Sequence, residues 1–472
     1  MGAIFGIFHF DKQPISKVLL DNMSEVLKPY GPEGHGIWIH EYFGFGQCLL
    51  RFTPEDSYEQ QSLSIPERKL VYNGFLSNRN VVIRRLNFSA SEAEILPDSA
   101  LVFKAYEKWG IDCLQHIIGD FSFALWDNFH KELMIVRSAI QAPPLFYHVT
   151  QKTLAFSSMR KGLFALPHIP RKLDEQVMAD YLTGAPIDPG LGFYQNIKQL
   201  PTGHILRINL GGVKIKKFWQ LDLTKTIRFS DEVEYIEAFS ELFTEAVAEN
   251  LRSCTPLGIM LSGGLDSSSV AVIAADLLKI SNKPLAAFTE VPDKNFIGPI
   301  IKGRYADETP YVQAIAAMHD NICLRLIRTD GQVYLDDLDR FFESAEVPFR
   351  NASNRAYIEA IFKAAQDLGI RNLLTGGHGN LTISWKGSGL IPQLIQQGHL
   401  RRAFSEARAL AKQGYHKSVL YILISQGLMP MLPELIWLPI RYLLKWNSST
   451  REAYSAKKPW EVYSPIHPEF AR

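Results

Sequence analysis

Leu257–Ser269 reads LGIMLSGGLDSSS, and its two ends belong to different kinds of structure. Leu257 to Leu261 is a fully apolar run of strand length. Ser262, Gly263 and Gly264 turn the chain, and Ser267–Leu278 continues as a helical pattern. Two adjacent glycines let the backbone turn tightly and bring N–H groups close to a ligand. The helix N-terminus behind them carries about half a positive charge, so the turn is an anion cradle. The hydroxyls of Ser262, Ser267 and Ser268 can donate to phosphate oxygens, and Asp266 can hold the accompanying metal. A plain strand-to-helix turn with serine caps is the alternative. Three serines, two glycines and an aspartate at the end of an apolar strand favour the ligand.

On either side, Asp231–Arg252 reads as an amphipathic helix, Leu285–Thr289 and Ile322–Ile327 as strands, and Pro310–His319 as a helix. Apolar strands alternating with helices imply a parallel sheet covered on both faces, an α/β domain. From His399 onward the pattern is mostly helical. The first half has a different texture. Ala3–Phe10, Gly36–His40, Phe43–Leu50, Lys69–Asn73, Gly119–Asp127, Leu133–Arg137 and Leu145–Val149 read as short strands. Helical patterns at Ile15–Leu27 and Ser99–Trp109, and a hairpin over His204–Asn209 and Val213–Trp219, complete an α+β half. The expected division is 1–224 and 225–472, consistent with a chain of 472 residues being too long for one ordinary core.

Composition removes several classes of function. Hydrophobic residues make up 46 % and charged residues 21 %, so the chain can bury cores and is not disordered. Fifty Lys and Arg face 49 Asp and Glu, a net charge of +1 that argues against a nucleic-acid binder. The four cysteines are spaced too widely for a zinc site or a secreted disulfide framework. MGAIFGIFHFDK has no basic n-region before an apolar core, and Gly6 breaks the myristoylation pattern. The apolar stretch Ser418–Trp446 is interrupted by Gln426, Pro430, Pro433, Glu434, Pro439 and Arg441, so it reads as buried helices, with a membrane-surface helix as the alternative. The expectation is a cytoplasmic protein with no transmembrane segment, and the four N-x-S/T sequons are background.

No Gly-x-x-x-x-Gly-Lys-Ser/Thr or Gly-x-Gly-x-x-Gly occurs, so phosphoryl-transfer and dinucleotide signatures are missing. SGGLDS resembles instead the pyrophosphate loop of the N-type ATP pyrophosphatases, which grips the leaving pyrophosphate while a substrate attacks the α-phosphate. Around it the chain resembles the asparagine synthetase superfamily, in order. Ile4–Ile7, Tyr30–Gly34, Val71–Gly74, Gly119–Asp127, Pro143–Tyr147, Leu200–His204 and Phe218–Trp219 resemble that family's amidotransferase half. Ala306–Thr309 and Leu374–Asn380 resemble elements of its synthetase half. The resemblance implies an N-terminal Ntn-hydrolase-like antiparallel sandwich, here a degenerate glutaminase, and a C-terminal parallel-sheet ATP pyrophosphatase domain.

The departures bear on function. Glutamine-dependent members need a cysteine directly after the initiator Met, whose free amine acts as its base. This chain has Gly2 and Ala3 there, Phe75 in place of the Glu after Asn-Gly, and Asp98-Ser99-Ala100 at the acidic pair that holds glutamine. A synthetase without ammonia from glutamine takes its amine from the substrate. Thr375–Gly387, TGGHGNLTISWKG, looks most like the lasso peptide cyclases of this superfamily. That resemblance implies an AMP-forming ligase that adenylates an Asp or Glu side chain of a lasso precursor peptide. The peptide's N-terminal amine then attacks, giving a macrolactam. It implies ATP and Mg²⁺ as cofactors, and as partners a separate leader peptidase and leader-recognition protein.

By the same resemblance Met260, Ser262, Gly263, Gly264, Leu265, Asp266, Ser267, Ser268, Glu290, Thr375 and Gly376 lie along the nucleotide, with Ser262 and Asp266 central to catalysis. Asp266 and Asn380 are the implied metal ligands, the carboxamide being the weaker oxygen donor. Asp307, Glu308 and His378 are candidate substrate contacts, with a helix cap as the alternative for the first two. Related cyclases continue beyond Ser464–Arg472 with basic residues on the pyrophosphate. The chain therefore reads as a truncated form or one that recruits Lys445, Lys457 or Lys458. A small-molecule amide or β-lactam synthetase and a non-catalytic scaffold remain the other readings.

Overall fold

In Ala3–His9 every side chain but the last is buried, with Ala3, Phe5 and Ile7 in one core and Ile4 and Phe8 in another. Successive side chains of a strand point to opposite faces, so this strand lies in a sheet covered on both sides. Phe121, Phe123 and Leu125 alternate in the same way with Ala124 and Trp126. The computed structural model describes residues 2–436 except 60–62, 66, 184–186, 223, 295, 298–304, 330, 332–335, 349–353, 386, 388, 413–417 and 434–435. Lys445, Lys457 and Lys458 lie outside the described residues.

Two antiparallel sheets stack face to face. The first runs Ile197–Gln199, Phe146–Val149, Thr153–Ser157, Ala3–His9, Phe43–Cys48, His35–His40. The second runs Gly212–Lys217, His204–Asn209, Glu132–Arg137, Gly119–Asp127, Arg68–Leu76, Leu63–Ile65. Their inner faces share a core of Ile4, Phe43, Phe45, Val71, Trp126, Ile135 and Leu206. Helix Lys17–Leu27 covers the outside of the first sheet through Leu20, Met23 and Leu27. Helix Asp98–Trp109 covers the second through Leu101, Val102 and Ala105. Helix, sheet, sheet, helix is the expected N-terminal sandwich.

The expected linker at 224 falls between strand Gly212–Lys217 and helix Glu232–Glu249. Beyond that helix the sheet is wholly parallel, in the order Ile322–Ile327, Leu285–Glu290, Leu257–Met260, Asn372–Leu374. Helices Leu265–Ile280 and Thr309–Met318 pack Ala271, Ala274, Ala275 and Val312 on one face. Helix Arg355–Asp367 packs Ile361 and Ala365 against Phe288 on the other. The chain leaves strand Leu257–Met260 toward one neighbour and returns much later on its opposite side. Ligands of open α/β sheets bind at such switch points, beyond the carboxyl ends of the strands.

Both antiparallel sheets and the parallel sheet fall in one compact unit, Met1–Met178 with Pro186–Gly376. A second unit comprises Ala179–Ala185 and Gly377–Arg472. Within it, helices Leu390–Gln396 and Leu400–Lys412 and the turn Val419–Ile422 bury Ile391, Leu394, Ala403, Ala407 and Ile422. Among the described residues no helix is long and apolar enough to cross a membrane.

Candidate active site

The Ser262–Ser268 turn sits at the carboxyl edge of strand Leu257–Met260 and runs directly into helix Leu265–Ile280. Its serines fasten the turn to itself. The Ser262 N–H donates to Ser267 Oγ at 3.0 Å, and the two hydroxyls share a hydrogen bond of 2.9 Å. Ser268 Oγ donates to the Gly264 carbonyl at 2.7 Å. Ser267 is buried, Ser268 half-buried and Ser262 exposed. The first amides of an α-helix have no intrahelical acceptor, and no side chain caps this one, so Leu265, Asp266 and Ser267 present their N–H groups from the turn. That is the donor set an anion needs.

Two close approaches fix the shape of the turn. A Cβ on Gly376 would lie 2.5 Å from the Ser267 nitrogen and 2.9 Å from the Asp266 carbonyl carbon, so only glycine can pass there. A Cβ on Gly263 would meet the Tyr311 Cβ at 2.9 Å. Asp266 Oδ1 is buried and has no hydrogen-bond partner. A sealed carboxylate oxygen without a donor is costly unless a cation completes it. This chemistry fits Mg²⁺, a hard ion that prefers carboxylate oxygen and would lie beside the turn where phosphates collect.

Met260 ends its strand and packs partly against the Phe288–Ile361 core, so backbone is what it can offer a ligand. Glu290 ends the neighbouring strand. Its carboxyl is held above the ordinary carboxylate range by burial and then by the negative charge of Glu308. Glu308 Oε2 accepts the Gly263 N–H at 2.9 Å, a contact the sequence did not suggest. Asp307 Oδ1 accepts the Thr309 N–H at 2.9 Å, fastening the entry of helix Thr309–Met318. The buried Thr289 Oγ1 donates to the Leu261 carbonyl at 2.8 Å and ties the two strand ends together. Thr375 follows strand Asn372–Leu374. His378 and Asn380 lie in the second unit. There His378 adopts a left-handed φ of 62°, and Asn380 Oδ1 accepts the Ser384 hydroxyl at 3.2 Å.

Residues 1–219 match the glutamine amidotransferase domain family, and residues 238–380 match asparagine synthase. The chain belongs to the asparagine synthetase superfamily. It is 28 % identical over 323 residues to asparagine synthetase [glutamine-hydrolyzing] 3 of Bacillus subtilis, covering 66 % of this chain and 52 % of that protein. It is 26 % identical over 337 residues to a putative asparagine synthetase [glutamine-hydrolyzing] 2 of Methanocaldococcus jannaschii, covering 67 % and 62 %. Amidase chry2 of Gibberella zeae is 25 % identical over 375 residues, covering 76 % and 54 %. The chain thus spans roughly half to three-fifths of the length of these relatives.

The position where glutamine-dependent members of the superfamily carry their cysteine is closed here. A Cβ on Gly2 would stand 2.1 Å from the Cys48 carbonyl oxygen. A cavity of about 30 Å³ remains between Gly2, Arg51, Tyr72 and Gly74, room for about one water. Asp98 is fully engaged: its carboxylate holds Arg79 and Arg252 at 2.8 Å each and accepts the Leu76 N–H at 2.8 Å. The Arg252 guanidinium lies 4.4 Å above the ring of Phe75. Glu59 accepts the Ser99 hydroxyl at 2.6 Å; burial drives its carboxyl up to about 7, and nearby Asp56 and Asp98 add to the rise. We expect Gly2→Cys to release no glutamate from glutamine and to lower the unfolding temperature. Glutamate release above that of the parent protein would show the pocket can still open.

Proposed function

We propose that the chain is an ATP-dependent, AMP-forming ligase that closes a macrolactam in a lasso precursor peptide. One observation carries the core of this reading: helix-start amides and the orphaned Asp266 oxygen meet at the sheet's switch point. A carboxylate becomes electrophilic only when one of its oxygens is made a leaving group. The turn's amides would stabilise the departing pyrophosphate as the peptide carboxylate attacks the α-phosphate of ATP and the α–β bond breaks. Asp266 would hold Mg²⁺, whose role is to neutralise charge on the phosphates. The peptide's N-terminal amine then attacks the acyl carbon, the amide forms, and AMP and a proton leave. Holding amine and acyl group in one folded peptide supplies a proximity gain of up to roughly 7–11 kcal/mol.

The narrow Gly2 pocket, with room for about one water, supports an amine drawn from the substrate. The match of residues 375–387 to the cyclase pattern supports a peptide. A cytoplasmic setting, a separate leader protease and a leader-recognition protein belong to the same proposal. Incubation with ATP, Mg²⁺ and the peptide encoded beside its gene should give a product lighter by one water, with one AMP per product. A second reading, a small-molecule amide synthetase, draws on the similarity to amidase chry2. Pyrophosphate exchange driven by a small carboxylic acid, with no dehydrated peptide, would establish that reading and end the first.

A further inference from the structure

The Gly263 amide belongs to the two-glycine turn, and its hydrogen bond is already taken. Glu308 Oε2 accepts it at 2.9 Å, reaching across from the N-terminus of helix Thr309–Met318. This is the one carboxylate among the described residues recorded on an amide of the turn. The Ser262 and Gly264 amides are served by serine hydroxyls, the Ser268 amide by the Gly264 carbonyl at 3.3 Å, and the helix-start amides of Leu265 to Ser267 have no side-chain cap. The Glu308 charge also falls on Glu290, whose carboxyl it helps to hold above its ordinary range. Glu308 thus places a negative charge on a turn built to attract anions, with a second carboxyl, Glu290, close enough to feel it.

We propose that Glu308 is a displaceable internal anion: it occupies the Gly263 amide in the free protein, and an incoming phosphate group takes its place. The inference rests on reading the turn as a pyrophosphate cradle. A carboxylate on a backbone N–H makes a charge-assisted bond, and a phosphate of the same sign must break it and face the released charge. Glu308 therefore orders the turn when it is empty and opposes weakly bound anions. An anion that also engages the helix-start amides has more donors to gain and displaces it. This makes Glu308 a positioning residue that sets how much of the phosphate chain is required for entry.

Metal-free inorganic pyrophosphate, titrated calorimetrically into the full chain, is the probe. Glu308→Gln keeps an acceptor and removes the charge, whereas Glu308→Ala removes both. We expect both variants to bind pyrophosphate about tenfold more tightly than the parent, and the ratio of pyrophosphate to monophosphate affinity to fall. Binding by Glu308→Gln equal to or weaker than the parent's overturns the proposal. A Glu308→Ala loss that Gln restores to the parent's value overturns it too, since Glu308 would then only shape the turn. Absence of pyrophosphate binding in all three proteins would remove the cradle reading itself, and this inference with it.

Discussion

Asp266→Ala is expected to lower AMP formation by about 10³-fold or more while leaving a cooperatively folded protein of nearly unchanged stability. Charge stabilisation by a bound metal on transferring phosphates is worth several kcal/mol, and each 1.36 kcal/mol is tenfold in rate. The stability side follows from the same oxygen. Asp266 Oδ1 is buried without a donor, so in the free protein it carries a desolvation cost of about 1–3 kcal/mol. Against that stands the favourable position of a carboxylate in the first turn of helix Leu265–Ile280, worth about 0.3–1 kcal/mol. Removing the side chain relieves the first term and loses the second. The unfolding temperature should therefore stay level or rise slightly as activity disappears.

The measurement is AMP release under saturating ATP and Mg²⁺, paired with a thermal melt. Activity of the alanine variant within a few fold of the parent would place the metal, and the phosphates with it, elsewhere. A variant that has lost both activity and its melting transition would show that Asp266 is structural. Asp266→Asn separates charge from shape. It keeps an oxygen of similar placement but a weaker ligand, so it should retain more activity than alanine and far less than the parent.

Residues close in sequence made much of this architecture readable. Short runs bounded by turn residues mark the long strands, and in Gly119–Asp127 the run from Phe121 to Trp126 is nearly all apolar because both faces of that strand are buried. Ile197–Gln199 and Asn372–Leu374 carry no strand signal, three residues being too few to show a period, and Thr153–Ser157 goes unmarked although runs of the same length are legible elsewhere. The helix after the turn begins at Leu265 rather than Ser267, because Gly264 takes the extended cap position and frees the next residue to start coiling. The turn itself was legible since its glycines, serines and aspartate are contiguous. The Glu308 contact to Gly263 spans 45 residues, and nothing in the sequence ties them. Gly2 and Phe75 were visible as departures from the superfamily, yet the guanidinium that now stacks on Phe75 comes from Arg252 in the other half of the chain.

That guanidinium is the basis of the second large effect: Asp98→Ala should destabilise the protein by about 3–5 kcal/mol, the range for breaking a buried ion pair by removing one partner. The Asp98 and Arg79 side chains are 3 % and 4 % exposed, and Arg252 is 16 % exposed, so solvent screens little of the interaction. Alanine would leave Arg79 and Arg252 their carbonyl acceptors but, as a counter-charge from this cluster, Glu55, at 3.2 Å from Arg252 and 3.4 Å from Arg79. It would also strip the buried Leu76 N–H, at the end of strand Arg68–Leu76, of its acceptor. Because the desolvation of the ions is what makes the broken pair costly, removing all of them should be gentler. Replacing Asp98, Arg79 and Arg252 together with apolar residues of similar volume is expected to cost less than Asp98→Ala alone. Urea unfolding of the single and triple variants decides the matter. A single-variant loss below about 1 kcal/mol would mean the cluster behaves as an exposed surface pair. AMP formation by Asp98→Ala at low temperature should persist, since none of these side chains touches the Ser262–Ser268 turn. Its disappearance in a protein still folded would show that Arg252, five residues ahead of strand Leu257–Met260, transmits the state of the closed pocket to the turn.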